Sequence, residues 1–272
     1  MSTEREQPRK KVTPALLRKM KEKGRKVVML TAYDWLLAGL LEEAGVDILL
    51  VGDSAGMVVH GFPDTLPVTM DLMLAHTAAV ARAARSAMVV ADMPFLSYQV
   101  NPDEALRNAG RFLQEAGADG VKLEGGKRVA GLVERLVEAG IPVMGHLGLT
   151  PQSVKTTGYS LQGGTEDEAG RLLEEARVLE EAGIFSLVLE KVPASLAEKA
   201  ASELKVPVIG IGAGPSCDGQ VLVTQDMLGL FPTFKPKFVR RYAELGNQIL
   251  DAVKRFARDV RSGDFPGPKE SF

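Results

Sequence analysis

The chain has 272 residues, with 33 Lys and Arg against 35 Asp and Glu and a formal net charge of −2, a near balance that argues against a nucleic-acid binder held by phosphate contacts. Hydrophobic residues make up 45% and charged residues 25%, the mixture of a globular protein, and a chain of this length can bury a large core without needing two domains. The one cysteine, Cys217, excludes an intrachain disulfide framework and a Cys-rich zinc site and makes reducing surroundings the simplest expectation.

Residues 1–26 are polar and basic and lack the apolar stretch of a secretory signal. Within them Thr13 reads as a helix N-cap and Pro14 as the first helical residue, with Leu16, Leu17 and Met20 on one side. The basic residues around that helix read as a solvated face. A repeat then follows, in which a helix ends in Glu-Ala-Gly and a short apolar strand begins a few residues later. It occurs at Glu43-Ala44-Gly45 before Ile48–Val51, Glu115-Ala116-Gly117 before Gly120–Leu123, Glu138-Ala139-Gly140 before Pro142–Met144, and Glu181-Ala182-Gly183 before Ser186–Leu189. Each glycine suits the left-handed residue that closes a helix, and strands so continuously apolar belong to a parallel sheet covered on both faces.

Adding Val27–Leu30, Met88–Ala91, Val208–Ile211 and Val221–Thr224 makes eight candidate strands, separated by helical patterns such as Leu72–Arg85, Asp103–Glu115 and Glu166–Glu181. Eight such units predict a closed (β/α)8 TIM barrel of the α/β class rather than an open doubly wound sheet. The expected organisation is a single barrel domain over residues 1–272. Residues 1–26 form its basic helical extension, and residues 236–272 supply an extra helix over Pro236–Val260 and a tail from Gly263. No apolar run approaches the roughly 20 residues of a membrane span.

In a barrel the chemistry sits where strands end and lead into helices. Those ends read Tyr33-Asp34, Gly52-Asp53-Ser54, Asp92-Met93-Pro94, Lys122-Leu123-Glu124, Gly145-His146, Glu190-Lys191, Gly210–Gly214 and Gln225-Asp226. Asp53, Asp92 and Glu124 would close consecutive strands about 4.8 Å apart and could converge on one point. Two carboxylates about 6 Å apart repel by roughly 3 kcal/mol at an effective dielectric near 20. A divalent ion would remove that conflict, and an all-oxygen donor set favours Mg²⁺ or Mn²⁺ over zinc. The alternative is that each acid caps the following helix or pairs with a lysine.

Lys122 lies two residues before Glu124 and so projects to the same face, where it could be a counter-ion to the acids or could neutralise a substrate carboxylate and the enolate grown from it. Glu190 ends strand six across the mouth and fits a general base, or an ion pair with Lys191. The glycine run at Gly210–Gly214 lacks the dinucleotide fingerprint spacing. His146 reads either as a substrate ligand or as a hydrogen-bonded loop histidine. Cys217 has no activating neighbour in sequence, and the loops His60–Thr69 and Leu149–Glu166 are candidate lids.

At these positions the chain resembles the ketopantoate hydroxymethyltransferase family. The matches include Leu30-Thr31-Ala32-Tyr33-Asp34, Val51-Gly52-Asp53-Ser54, Ala91-Asp92-Met93-Pro94-Phe95, Val121-Lys122-Leu123-Glu124-Gly125-Gly126 and Gly145-His146-Leu147-Gly148-Leu149-Thr150-Pro151-Gln152-Ser153. They continue through Leu187-Val188-Leu189-Glu190, Gly210–Gly214, Asp218–Val223, Asp226–Gly229 and Pro236–Arg240.

The resemblance implies an enzyme of pantothenate biosynthesis that moves a one-carbon unit from 5,10-methylenetetrahydrofolate to 3-methyl-2-oxobutanoate, giving 2-dehydropantoate. It implies Asp53, Asp92 and Glu124 as Mg²⁺ positions, Asp53, Ser54, Asp92 and Lys122 as substrate positions, and Glu190 as proton acceptor. A cytoplasmic homo-oligomer, often a decamer, is also implied. The chain departs from the family at Gln225, where histidine is common, and at Lys191, where cysteine is frequent. The rival reading is a Mg²⁺-dependent carbon-carbon lyase or mutase of the phosphoenolpyruvate mutase and isocitrate lyase type, whose lyases carry a reactive cysteine.

Overall fold

A computed structural model describes residues 9–231 and 236–272. The first eight residues of the expected basic extension lie outside that range, as does the segment 232–235. Eight parallel strands pair in sequence order and close into a barrel, β1 to β8: Val27–Thr31, Ile48–Val51, Met88–Asp92, Gly120–Glu124, Val143–Gly148, Ser186–Glu190, Val208–Ile211 and Gly219–Leu222. The principal helices precede and separate them. They are α1 (Pro14–Glu22), α2 (Trp35–Glu43), α3 (Ala55–Val58), α4 (Met70–Ala83), α5 (Pro102–Gln114), α6 (Ala130–Glu138), α7 (Val154–Thr157), α8 (Glu166–Glu181) and α9 (Ala194–Glu203).

Local chemistry sets these boundaries. Thr13, Asp34, Thr69, Asn101 and Thr165 each accept a backbone N–H from the first turn of the helix they precede. At α8 the cap is reciprocal, because the Glu168 carboxylate accepts the Thr165 backbone N–H. The glycines of the Glu-Ala-Gly repeat all take positive φ, between 73° and 97°, which is why the repeat predicts helix ends well.

One end of the barrel is plugged. Leu17 and Met20 of α1, with Val12 before it, join Met29, Ile48, Met88, Met144 and Ile209 in one buried apolar cluster. Val12 N–H donates to the Ser86 carbonyl just before β3 (2.7 Å), and Lys21 pairs with Asp218 just before β8 (2.6 Å). The amino-terminal helix therefore covers the strand starts and leaves the strand ends open.

The chain divides into two compact units, with the boundary after Val221. The second begins at Leu222 and contains α10 (Thr224–Met227) and α11 (Leu245–Ser262). Backbone bonds from Tyr242 N–H to Met227 O (2.9 Å) and Leu245 N–H to Leu228 O (3.0 Å) hold the segment before α11 out of helix. The helix expected from Pro236 thus starts at Leu245. Along α11, Ile249, Leu250, Val253 and Phe256 are exposed, and Phe256 packs edge-on against Phe265.

Six strands depart from the expected bounds. The eighth is Gly219–Leu222, not Val221–Thr224, and Thr224 opens α10. A Cβ at Gly219 would lie 2.5 Å from the Val27 carbonyl, so the strand begins on a residue that looks like a turn because barrel closure leaves no room for a side chain there. The fifth strand extends from Val143 to Gly148 rather than over Pro142–Met144, which places His146 inside a strand. Gly145 interrupts the apolar pattern because a Cβ there would press on Leu179, Leu187 and Ile184 at 3.2–3.3 Å. Strands one, three, four and six each run one residue further than predicted and end on Thr31, Asp92, Glu124 and Glu190.

Gly148 has φ 91°, and a Cβ there would meet the Glu190 carbonyl oxygen at 2.2 Å. That carbonyl accepts the Leu149 N–H at 2.8 Å. Gly148→Ala is expected to destabilise the protein by about 2 kcal/mol or more, seen as a lower denaturant midpoint at unchanged slope. A midpoint equal to wild type would contradict this packing.

Candidate active site

The strand ends carry a buried cluster of charge. Asp53, Asp92, Lys122, Glu124 and His146 are all 5% exposed or less. Register explains the order, since Asp92 sits beside Lys122 across β3 and β4 and Glu124 beside His146 across β4 and β5. Lys122 Nζ lies 2.9 Å from Asp92 Oδ1 and 3.2 Å from His146 Nδ1. Glu190 ends β6 beside Gly148, and its Oε2 is 3.4 Å from His146 Nε2.

Each of the three acids has one oxygen anchored by the protein. Asp92 Oδ2 accepts the Asp53 backbone N–H at 3.0 Å, Asp53 Oδ2 accepts from Gln152 Nε2 at 2.9 Å, and Glu124 Oε2 accepts from the Gln152 backbone N–H at 3.0 Å. Glu124 Oε1 is buried and accepts no hydrogen bond. Helix capping accounts for Asp34, whose carboxylate accepts the Leu37 N–H at 2.8 Å. It does not account for Asp53: the residue at the start of α3 is Ser54, with no side-chain cap, and Ser54 Oγ instead meets the Tyr33 hydroxyl at 2.8 Å.

The electrostatic cost is visible in the ionisations. Burial, with the charges of Asp92 and Glu124 added to it, pushes the Asp53 carboxyl up to about 8, against the opposing pull of Lys122 and the Gln152 hydrogen bond. Lys122 is held above the ordinary lysine value: burial opposes its charge, and the three acids outweigh burial. For His146, burial and Lys122 oppose a second ring proton while Glu124 and Glu190 favour it, and the balance lies above the ordinary histidine value. A buried excess of acids, with an oxygen of each held by an amide, Asp92 Oδ1 also at Lys122 and Glu124 Oε1 accepting no hydrogen bond, fits an oxygen-ligated divalent cation that keeps other ligands of its own. Among the described residues, no group of three or more Asp, Glu, His or Cys side chains is arranged to hold a metal ion by itself.

Several predicted positions lie elsewhere or behave differently. Lys191 does not pair with Glu190; its backbone has φ 50° and its ammonium donates to the Tyr159 carbonyl. Gln225 and Asp226 belong to α10 in the second unit. His146 is a strand residue between two carboxylates rather than a loop histidine. Tyr98 and Gln152 were not singled out from sequence, yet the Tyr98 hydroxyl accepts the Glu124 N–H at 3.1 Å and donates to Gln152 Oε1 at 3.0 Å. The two candidate lids are joined by an ion pair, Lys155 with Asp64, at 2.7 Å. Among the described residues, no helix is long and apolar enough to cross a membrane.

Because the folded state holds the Asp53 proton more tightly than the unfolded chain, its contribution to stability is present at low pH. That contribution is lost as pH rises from the ordinary carboxylate range through about 8. In chelator, thermal stability should therefore fall over that window with a slope of at most about 1.4 kcal/mol per pH unit. Asp53→Asn should flatten the slope, and an equal slope in that variant would remove Asp53 as its source.

The chain as a whole is similar to proteins of one family. Residues 11–268 match the family model described as ketopantoate hydroxymethyltransferase. Relatives named 3-methyl-2-oxobutanoate hydroxymethyltransferase are 52% to 59% identical. The one from Syntrophus aciditrophicus (strain SB) is 57% identical over 264 residues, covering 97% of each chain. Solved structures share the fold at lower identity. A phosphonopyruvate hydrolase complex with oxalate and Mg++ has TM-score 0.62 at 16% identity and covers 94% of this chain and 92% of its own. A 2,3-dimethylmalate lyase, described as a PEP mutase/isocitrate lyase superfamily member, has TM-score 0.57 at 18% identity, with coverage of 95% and 91%. The full-length family match and the identity over nearly the whole chain show that this protein belongs to the ketopantoate hydroxymethyltransferase family.

Proposed function

We propose that the buried acid cluster is the active site for transfer of a hydroxymethyl group from 5,10-methylenetetrahydrofolate to 3-methyl-2-oxobutanoate. With one water consumed, the products are 2-dehydropantoate and tetrahydrofolate. The observation that carries this reading is the juxtaposition of three carboxylates and Lys122 with Glu190 on the far side of His146. Asp53, Asp92 and Glu124 would hold Mg²⁺, which when bound polarises the 2-oxo oxygen of the substrate and so acidifies its C3 hydrogen.

The chain's own groups divide the remaining work. Glu190 takes the C3 proton. Lys122 sits below the acids and stabilises negative charge as it grows on the substrate oxygen. Asp53 and Ser54 orient the substrate, with the Ser54 hydroxyl held by Tyr33. His146 lies between Lys122 and Glu190 and steadies the base, its Nε2 standing 3.4 Å from the Glu190 carboxylate. The C3 carbanion then attacks the folate methylene carbon. Hydrolysis frees tetrahydrofolate and returns the proton from Glu190.

The rival lyase reading needs a reactive thiol. Cys217 is buried with its sulfur against Gly210, and burial together with Asp218 pushes the thiol up, which opposes nucleophilic use. The surrounding proposals are a single domain in a cytoplasmic homo-oligomer, a decamer by family resemblance, acting on small molecules without nucleic acid or membrane partners.

Proton NMR of 3-methyl-2-oxobutanoate in D₂O with enzyme and Mg²⁺ tests the assignment. C3 exchange is expected without folate, and hydroxymethyl product on adding it. Glu190→Gln should slow exchange by roughly 100-fold or more while the substrate still binds. Exchange at the wild-type rate in that variant would remove Glu190 from the role.

A further inference from the structure

Gln152 bonds two of the three acids, Asp53 and Glu124, and it arrives from a loop rather than a strand. It lies in the single turn Pro151–Ser153 that opens the Leu149–Glu166 loop, and it is buried. Its side-chain amide is fully used. Nε2 donates to Asp53 Oδ2 and to the Met93 carbonyl, both at 2.9 Å. Oε1 accepts from the Tyr98 hydroxyl at 3.0 Å and from Gln99 Nε2 at 3.1 Å. Two donors facing two acceptors, and one oxygen facing two donors, fix which way the amide points. Its backbone N–H donates to Glu124 Oε2 at 3.0 Å, and Glu124 N–H in turn donates to the Tyr98 hydroxyl at 3.1 Å.

We infer that Gln152 is a positioning residue that holds Asp53 and Glu124 in one arrangement, so that docking of the Leu149–Glu166 loop and assembly of the acid site are a single event. The inference rests on the reading of that cluster as a divalent-cation site. Two acids from different strands are tied to one residue, Asp53 through its side chain and Glu124 through its backbone. Loss of the loop's seat would release one oxygen of each. The same loop is fastened at two further points, by Lys155 to Asp64 and by Gln162 N–H to the Lys191 carbonyl at 3.1 Å. Partners that orient ligating carboxylates are worth roughly 10- to 100-fold in metal affinity or activity.

The test uses Gln152→Met, which keeps volume and removes every side-chain hydrogen bond, and Tyr98→Phe, which removes only the hydroxyl between Glu124 and Gln152. Mn²⁺ binding is followed by electron paramagnetic resonance on protein shown to be folded by circular dichroism, beside C3 exchange at saturating Mg²⁺. The Mn²⁺ dissociation constant should rise roughly 10- to 100-fold in Gln152→Met and by a smaller factor in Tyr98→Phe, with slower exchange in both. If folded variants bind Mn²⁺ as wild type does, Gln152 is a loop anchor only and the inference fails. Should Gln152→Met not fold, Tyr98→Phe alone decides by the same criterion. Wild-type protein that binds no Mn²⁺ would instead overturn the cation site itself, and the inference with it.

Discussion

Concentrating like charge in a buried place is the constraint on which the rest of this molecule depends. Asp53, Asp92 and Glu124 share a space with one ammonium, Lys122, under almost complete burial. Removing such groups from water costs several kcal/mol each unless partners compensate. Compensation comes one oxygen at a time: from a backbone amide to Asp92, a side-chain amide to Asp53 and a second backbone amide to Glu124. What remains uncompensated, burial first and the neighbouring acids second, raises the Asp53 ionisation. The barrel makes this tolerable by keeping the other end apolar, where Leu17 and Met20 of the amino-terminal helix seal the strand starts. Charge and core occupy opposite ends of one sheet.

That division is also why so much could be read from sequence. Strands apolar along their length and ionisable at their ends betray both the parallel sheet and the end that carries chemistry. Asp53, Asp92, Lys122 and Glu124 were legible because consecutive strands of a barrel are neighbours, so order along the chain becomes order in space. His146 was harder. Its strand is broken by Gly145, whose missing side chain accommodates Leu179 and Leu187, and a glycine beside a histidine looks like a loop when the packing partner is unseen. Ser54 stood out only through family resemblance. Tyr98 and Gln152 could not be found by strand order at all, since they reach the site from loops, and Gln152 lies 99 residues from the Asp53 it contacts.

Fold and family carry different information here. The barrel is shared with phosphonopyruvate hydrolase and 2,3-dimethylmalate lyase at 16% and 18% identity, a level at which only architecture transfers. What separates the chemistries is the content of the strand ends and loops. The cysteine that a lyase would use has no exposed counterpart here: the chain's one thiol is buried against Gly210. Glu190, the proposed base, stands across the mouth next to His146.

The choice of a neutral amide to organise the acids has a physical consequence. A second lysine at position 152 would satisfy the same oxygens and cancel more of the repulsion, and it would leave the cluster little net charge with which to attract a cation. Gln152 orients Asp53 without cancelling its charge, because an amide donates hydrogen bonds and contributes no formal charge. The Lys122 ammonium is already engaged with Asp92 and His146. The cluster is therefore held in shape while remaining electrostatically unfinished, and the element that holds it is a loop that can also carry the cover of the site. Neutral donors thus set the geometry of the acids without cancelling their charge, which is the arrangement the proposed cation site requires.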